Sequence, residues 1–294
     1  GLLFFFTKIM TLIFILIALA VDLLSVDLER LRKFDWLMSL YDSLNQRFVD
    51  NKYWDGNLGL LFLLSIPLLI LTLILFLFSH WSIVAEAILS IFVLIYCIGA
   101  KKILSQFDKY IISIEKGKAD APSLARELIN EEFENSSDNT EIVIMKSVFI
   151  ESHRQIMATI FWYFLLGIVG VFLYRLVDRL HSELKGTSSG FSESTSILLN
   201  ILEWPSVRLF AIGLALAGNL TEAIAVLKKS EVFSIEDNHS LLTGIGIAAL
   251  QYLPQLDSSD REKSYWLNQF KFLIIRTLVI WVVIAGIIIL SDIS

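Results

Sequence analysis

The chain has 294 residues, of which 55% are hydrophobic and 18% are charged, and its formal net charge is −6. This composition is typical of a membrane protein, and the mild acidic balance leaves no basic surface of the kind that binds nucleic acid. The single cysteine, Cys97, excludes an intramolecular disulfide, and the four histidines lack the spacing of metal ligands. The sequence therefore predicts an all-α, polytopic helical membrane protein without a metal ion or other cofactor.

The first segment, residues 1–25, is apolar apart from Lys8 and a final acidic residue, Asp22. Its short apolar core and the Ala18-Leu19-Ala20 sequence also fit a secretory signal with its cleavage site. We expect a retained first membrane helix instead, because several further apolar segments follow. Met10 is an alternative natural start.

Two further apolar runs, Leu58–Phe78 and Trp81–Ala100, are joined only by Ser79 and His80. So short a joint predicts an antiparallel hairpin of two membrane helices. The preceding connector, Val26–Asn57, combines charges of both signs with several aromatic residues, which suits an amphipathic helix at the membrane interface.

Residues 101–145 are predicted to form a helical insertion outside the membrane. One helical stripe of this region is apolar and consists of Ile103, Phe107, Tyr110, Ile111 and Ile114. Lysines and arginines concentrate here and in Val26–Asn57. By the positive-inside rule, both connectors lie on the cytoplasmic side.

The stretch Lys146–Glu183 is expected to anchor the rest of the chain. It contains an uncharged run, Gln155–Tyr174, which as a helix spans roughly 30 Å and so matches the hydrocarbon core of a bilayer. The charged residues that flank this run are Glu151 and Arg154 before it, and Arg175 and Asp178 after it. Helical spacing places the first two on one face. These charges are either anchors at the membrane surface or polar sites at the two mouths of a helix bundle.

The last third of the chain is harder to assign. Residues 185–196 are rich in glycine, serine and threonine and are predicted to form a mobile loop. Val207–Leu227 could just span the membrane; the distribution of basic residues favours a crossing, whereas the polar residues Gly218–Glu222 favour a re-entrant or interfacial helix. Phe270–Leu290 is the last predicted span. The chain is therefore predicted to form a single integral-membrane domain, 1–294, with four to six spans.

Four sequence pieces occur in a characteristic order: ATIFWYFLLG, YRLVDRL, LEWPSVRLFAIGLALAGN and DNHSLLTGIGIAAL. In this order and spacing they resemble the AmpE family of bacterial inner-membrane proteins, over nearly the whole chain from about Met10. That family is itself similar to the CobD/CbiB enzymes of cobalamin biosynthesis, which join an aminopropanol to adenosylcobyric acid through an amide bond. The resemblance implies a multi-pass protein of the bacterial inner membrane, associated as a sensor or signal transducer with cell-wall recycling and β-lactamase induction.

The chain departs from the pattern of the synthases at places where their acidic residues lie. Leu199 and Asn200 stand where the synthases have paired aspartates, and Asn238 is followed by Ser240–Thr243 instead of a Gly-Trp-Pro-Glu sequence. The Gly-Arg-Asp-Thr loop of the synthases, near Glu131–Glu134, is also missing. The resemblance therefore favours a sensor over an enzyme. The alternatives are an amide-forming synthase of the CobD/CbiB type and a structural subunit of a membrane complex.

The residues expected to form a polar cleft come from the charged flanks of the central run and from the pieces that carry the resemblance. They are Glu151, Arg154, Tyr174, Arg175, Asp178, Glu203, Trp204, Arg208 and Asn238. We expect Arg208 to be held by Glu203 or Asp178, the nearest acids by motif. The expected partners are the lipid bilayer and either a small-molecule ligand or another membrane protein, and no nucleic acid.

Overall fold

The computed structural model describes residues 2–25, 28, 32–51, 53–130, 133, 138–230, 234–250 and 258–291. Within these residues every extended regular element is helical, as predicted. The α-helices are α1 Leu2–Leu24, α2 Asp35–Phe48, α3 Asn57–Trp81, α4 Ile83–Cys97, α5 Ala100–Glu115, α6 Ala121–Leu128, α7 Thr140–Ser152, α8 Ala158–Leu184, α9 Gly190–Ala217, α10 Leu220–Lys229, α11 Asn238–Ala249 and α12 Asp260–Ser291. A π-helical turn, His153–Met157, connects α7 directly to α8.

Five helical segments of the described residues are long and apolar enough to cross a membrane. They are Asn57–His80, Val84–Glu115, Thr140–Leu184, Gly190–Ala217 and Asp260–Ile289. On α3 the side chains of Leu61, Leu69 and Leu73 are more than half exposed, as expected for a surface that faces lipid. The chain is therefore a multi-pass helical membrane protein, and the prediction of four to six spans is confirmed.

The chain folds into two compact units. The first unit contains the residues up to Gly99 together with Ala158–Glu203, and the second contains Ala100–Met157 and Trp204–Ser294. The stretch that the sequence identifies as an anchor contributes a central helix to each unit, because α8 belongs to the first and α7 to the second. The prediction that residues 1–294 form a single integral-membrane domain stays a prediction.

In the first unit, α8 packs against α1, α2, α3 and α4. The hairpin predicted from the short joint is confirmed: Ser82 alone separates α3 from α4, and its hydroxyl accepts a hydrogen bond from the Val84 amide. The core contains apolar side chains from most helices of the unit, including Leu37, Leu63, Val177 and Phe191, which are all almost fully buried.

The helix α8 reverses direction at Gly167, which has a φ of 65° and a ψ of −148°. The Arg175 guanidinium lies 3.4 Å from the Thr159 hydroxyl. In a straight helix these two residues would be roughly 24 Å apart along the axis. The two arms of α8 therefore form a tight helical hairpin, and the prediction of one uninterrupted span over Gln155–Tyr174 is wrong. The positive φ at this point is a conformation that glycine adopts readily.

In the second unit, α7 packs against α5, α6, α11 and α12. The Phe149 ring lies at the centre of this core, 4.6 Å from the Phe270 ring. Gly246 permits its approach, because a Cβ atom there would come within 2.5 Å of the Phe149 ring. The apolar stripe predicted on α5 is buried at every one of its positions, which are Ile103, Phe107, Tyr110, Ile111 and Ile114. The cytoplasmic placement of residues 101–145 stays a prediction, and residues 131, 132 and 134–137 of that stretch lie outside the described residues.

One prediction for the last third of the chain needs correction, and one stretch that the sequence left open is divided between two helices. The loop predicted at 185–196 is shorter, because α9 begins at Gly190 and its first turns bury Phe191 and Thr195. Val207–Leu227 is not one continuous helix, because α9 ends at Ala217. The side chain of Asn219 then accepts hydrogen bonds from the amides of Thr221 and Glu222, and so begins a separate helix, α10.

Replacement of Gly167 by alanine tests the reversal of α8. A Cβ atom at this position would contact nothing within 4 Å, so the cost comes from backbone strain at positive φ and not from a clash. We expect Gly167→Ala to destabilise the protein by about 1–3 kcal/mol in thermal unfolding experiments in mild detergent. The control is Gly286→Ala in α12, also in open space, where alanine should be neutral or slightly stabilising. Equal stability of the two variants would contradict the reversal.

Candidate functional site

The carboxyl-terminal end of α4 is bound by two arginine side chains. The Arg32 guanidinium donates hydrogen bonds to the Ile95 carbonyl from Nε at 3.1 Å and from Nη2 at 3.0 Å. It also forms an ion pair with Asp22, which is almost fully buried near the end of α1. The positive charge of Arg32 therefore lies at the negative end of the α4 helix dipole, and Asp22 compensates that charge.

Arg175 binds the same end of α4 from the second arm of α8. Its Nη2 donates a hydrogen bond to the Cys97 carbonyl, and its Nη1 lies 2.9 Å from the Asp178 carboxylate. Both side chains of this ion pair are at least 95% buried. We call Arg32, Arg175, Asp22 and Asp178 the Arg175 cluster. Its ion pairs are mutually satisfied, which is the arrangement expected of a structural role.

Tyr174 and Glu203 form a separate contact in the first unit. The Tyr174 hydroxyl lies 3.5 Å from the Glu203 carboxylate, and neither residue has measurable exposure to solvent. This contact joins the second arm of α8 to α9. The expectation that Glu203 or Asp178 holds Arg208 stays a prediction, while Glu203 contacts Tyr174 and Asp178 pairs with Arg175.

The π-helical turn changes the direction of the side chains that follow α7. Arg154, within this turn, is mostly buried, and its Nη2 lies 3.3 Å from the Nε2 of His239. Glu151 instead accepts a long hydrogen bond of 3.5 Å from Gln155 and lines a cavity of about 220 Å³. The prediction that Glu151 and Arg154 share one helix face is wrong, because a π-turn adds residues to the turn and shifts the register of the face.

Arg208 is fixed in the second unit by three neutral oxygen atoms. Its Nη1 donates to the Trp204 carbonyl at 2.8 Å and to the Asn238 side chain at 2.6 Å, and its Nη2 donates to the Ser234 carbonyl at 2.6 Å. The guanidinium also lies 4.4 Å from the centre of the Trp204 ring, a cation–π contact. Arg208 itself is partly exposed, whereas Asn238 is 1% exposed.

Arg154 and Arg208 therefore converge on the first two residues of α11, since one contacts His239 and the other binds Asn238. We call Arg154, Arg208, Asn238, His239 and Trp204 the Arg208 cluster. Two guanidinium groups beside the amino-terminal end of a helix favour an anionic group, and their planar donors suit a carboxylate or a phosphate.

A buried serine–histidine contact lies in the same unit. The Nε2 of His153 is 2.8 Å from the Ser206 hydroxyl, and both residues are 0% exposed. A serine that no substrate can reach is no nucleophile, so this hydrogen bond serves to join the π-helical turn to α9. Within the described residues, no group of three or more His, Cys, Asp or Glu side chains could hold a metal ion.

The nine residues predicted to form one cleft thus divide among several contacts. Trp204, Arg208 and Asn238 are brought together, and Arg154 reaches the residue beside Asn238. Sequence reasoning missed the roles of His239 and Arg32. His239 had a detectable signal, because it is the immediate neighbour of Asn238, while Arg32 lies in a connector with many charges and was not distinguishable there.

Comparison with known protein families identifies a match. The sequence model of a family described as CobD/Cbib protein matches residues 15–233. Searches of curated proteins and of solved structures found no significant match. The matched range includes every residue of the predicted cleft except Asn238, and it ends before His239.

The Arg175 cluster can be tested by removing one member of a buried pair. Arg175→Met leaves the Asp178 carboxylate buried without its cation, and we expect a loss of about 3–5 kcal/mol in the free energy of unfolding in mild detergent. The double variant Arg175→Met, Asp178→Leu should recover part of this loss. The control is Lys146→Met, which breaks an exposed ion pair with Asp138 and should cost less than about 1 kcal/mol. If Arg175→Met were tolerated as well as this control, the cluster would not stabilise the fold.

Proposed function

Because the chain belongs to the CobD/CbiB family, we propose that it is a membrane protein of the cobalamin-biosynthesis type that binds a carboxylate-bearing corrinoid at the Arg208 cluster. The synthases that give this family its name join an amine to a carboxyl group of adenosylcobyric acid. A protein that works on such a substrate needs a cationic site to hold the carboxyl group.

The observation that carries the proposal is the convergence of Arg154 and Arg208 on the start of α11. Arg208 is oriented before any ligand arrives, because Trp204 stacks against it and the Asn238 side chain and Ser234 carbonyl fix its plane. Preorganised donors lose little side-chain entropy on binding, so the site favours a planar anion. Arg154 would add a second positive charge.

The residues support substrate binding more directly than catalysis. In amide formation, a neutral amine attacks an activated carboxyl carbon, the activating group leaves and the amine loses a proton. Arg154 and Arg208 would hold and polarise the carboxyl group in that step. The base that takes the proton would have to be a neutral or anionic side chain that the substrate can reach.

The second candidate is a sensor of the AmpE type, which the motif departures favour. Leu199 and Asn200 replace paired acids, and no Gly-Trp-Pro-Glu sequence follows Asn238. In this candidate the Arg208 cluster binds an anionic ligand without turning it over, and a carboxylate-bearing cell-wall fragment would be the ligand linked to β-lactamase induction.

Binding measurements on the purified protein in lipid nanodiscs separate the two candidates. We expect adenosylcobyric acid to bind the wild-type protein in isothermal titration calorimetry, and Arg208→Gln to weaken binding by about ten-fold or more, because a charge-assisted hydrogen bond is lost. The matched control is Arg276→Gln, an exposed arginine on α12 that should leave the affinity unchanged.

The outcomes of this experiment are distinct. Formation of an amide product from the corrinoid, an aminopropanol and ATP would identify a synthase. Binding of a muropeptide but not of the corrinoid would favour the sensor. Equal affinities of the Arg208→Gln and wild-type proteins for every ligand would rule out the Arg208 cluster as the site.

A further inference from the structure

A charged cavity of about 290 Å³ lies in the first unit, between the amino-terminal end of α2 and the last turns of α8. The charged residues that line it are Arg32, Lys33, Asp35, Arg179 and Glu183. Arg32 is already paired with Asp22. The cavity is therefore left with two cations and two carboxylates, a balance that suits a zwitterionic ligand better than a multiply charged anion.

Arg179 is the most constrained of these groups. Its guanidinium lies over the Phe34 ring, 5.6 Å from the ring centre. Within the part of the chain that the structure describes, its Nε atom is buried and has no hydrogen-bond partner. A buried donor without a partner costs free energy, and Arg179 lines the cavity, so a ligand oxygen atom there would lie beside this guanidinium.

Aromatic side chains next to the cavity indicate the level of the lipid headgroups. The Trp36 ring is 40% exposed and is stacked on Phe172, with ring centres 6.4 Å apart. Its Nε1 lies 3.2 Å from the Tyr96 hydroxyl, which in turn donates to the Lys33 carbonyl at 3.1 Å. Tryptophan and tyrosine with an apolar body and a hydrogen-bonded tip are concentrated at membrane interfaces.

We propose that this cavity binds the headgroup of phosphatidylethanolamine, with the phosphate on Arg179 and Lys33 and the ammonium group on Asp35 and Glu183. The phosphate oxygens accept hydrogen bonds from the two cations. The ammonium group carries three N–H donors, and the two carboxylates accept from them. Phosphatidylcholine has a quaternary ammonium group without N–H donors, and phosphatidylglycerol has no ammonium group. The site therefore selects among lipids that share the same phosphate.

Native mass spectrometry of the protein with an equimolar mixture of these three lipids tests the proposal. We expect one phosphatidylethanolamine molecule to be retained in preference to the other two. Arg179→Gln should reduce this retention by about ten-fold, because one charge-assisted hydrogen bond and one positive charge are lost. Glu183→Gln should reduce the preference over phosphatidylcholine while leaving total lipid retention similar.

Two controls keep the result interpretable. Lys116→Gln removes an exposed cation in the turn after α5 and should leave lipid selection unchanged. Arg179→Lys keeps the charge and should restore part of the retention, which separates loss of the site from loss of the fold. Equal retention of all three lipids, or a preference unaffected by Arg179→Gln, would overturn the proposal. Binding of free phosphoethanolamine without lipid retention would assign the cavity to a soluble phosphate ester instead. None of these outcomes depends on what binds at the Arg208 cluster.

Discussion

The last carbonyl groups of α4 have no further helical turn to accept from, because the chain leaves the helical conformation at Ile98, where ψ is 140°. Inside a membrane protein such groups have little access to water, so each needs a donor from the protein. Arg32 and Arg175 are those donors. Each brings a positive charge that must itself be compensated, and Asp22 and Asp178 supply the compensation. The interruption after α4 thus accounts for all four charged side chains.

This requirement links the first unit to the reversal of α8. Arg175 lies on the second arm of α8, and its guanidinium also reaches Thr159 on the first arm. The turn at Gly167 brings these arms together. The reversal also changes what the distribution of basic residues implies about the number of membrane crossings. A single crossing carries Arg175 and Arg179 away from the side where α8 begins, whereas a hairpin returns them towards it. The positive-inside rule therefore does not need a crossing at Val207–Leu227 to explain the charges that follow α8.

Much of the fold could be predicted from hydrophobic periodicity, and the failures share a physical cause. The buried stripe of α5 was predictable because a period of 3.6 residues survives in any packing arrangement. The reversal at Gly167 was not predictable, because glycine is also frequent in straight membrane helices and the sequence on both sides of it is apolar. The contact of Arg208 with the Trp204 carbonyl follows from helical spacing. Its contact with Asn238 depends on tertiary structure alone, since the two residues are 30 positions apart.

The two arginine clusters show why charge inside a membrane protein does not by itself identify a site. In the Arg175 cluster, guanidinium, carboxylate and helix carbonyl are paired and buried, so a ligand would have to displace a protein carboxylate at a high cost. In the Arg208 cluster, neutral oxygen atoms and an aromatic ring fix a partly exposed guanidinium. These acceptors and the ring fix the plane of the guanidinium. An anion beside this group would interact with it in surroundings where charge–charge attraction is stronger than in water. This physical difference is the reason for which we propose a stabilising role for the first cluster and ligand binding for the second.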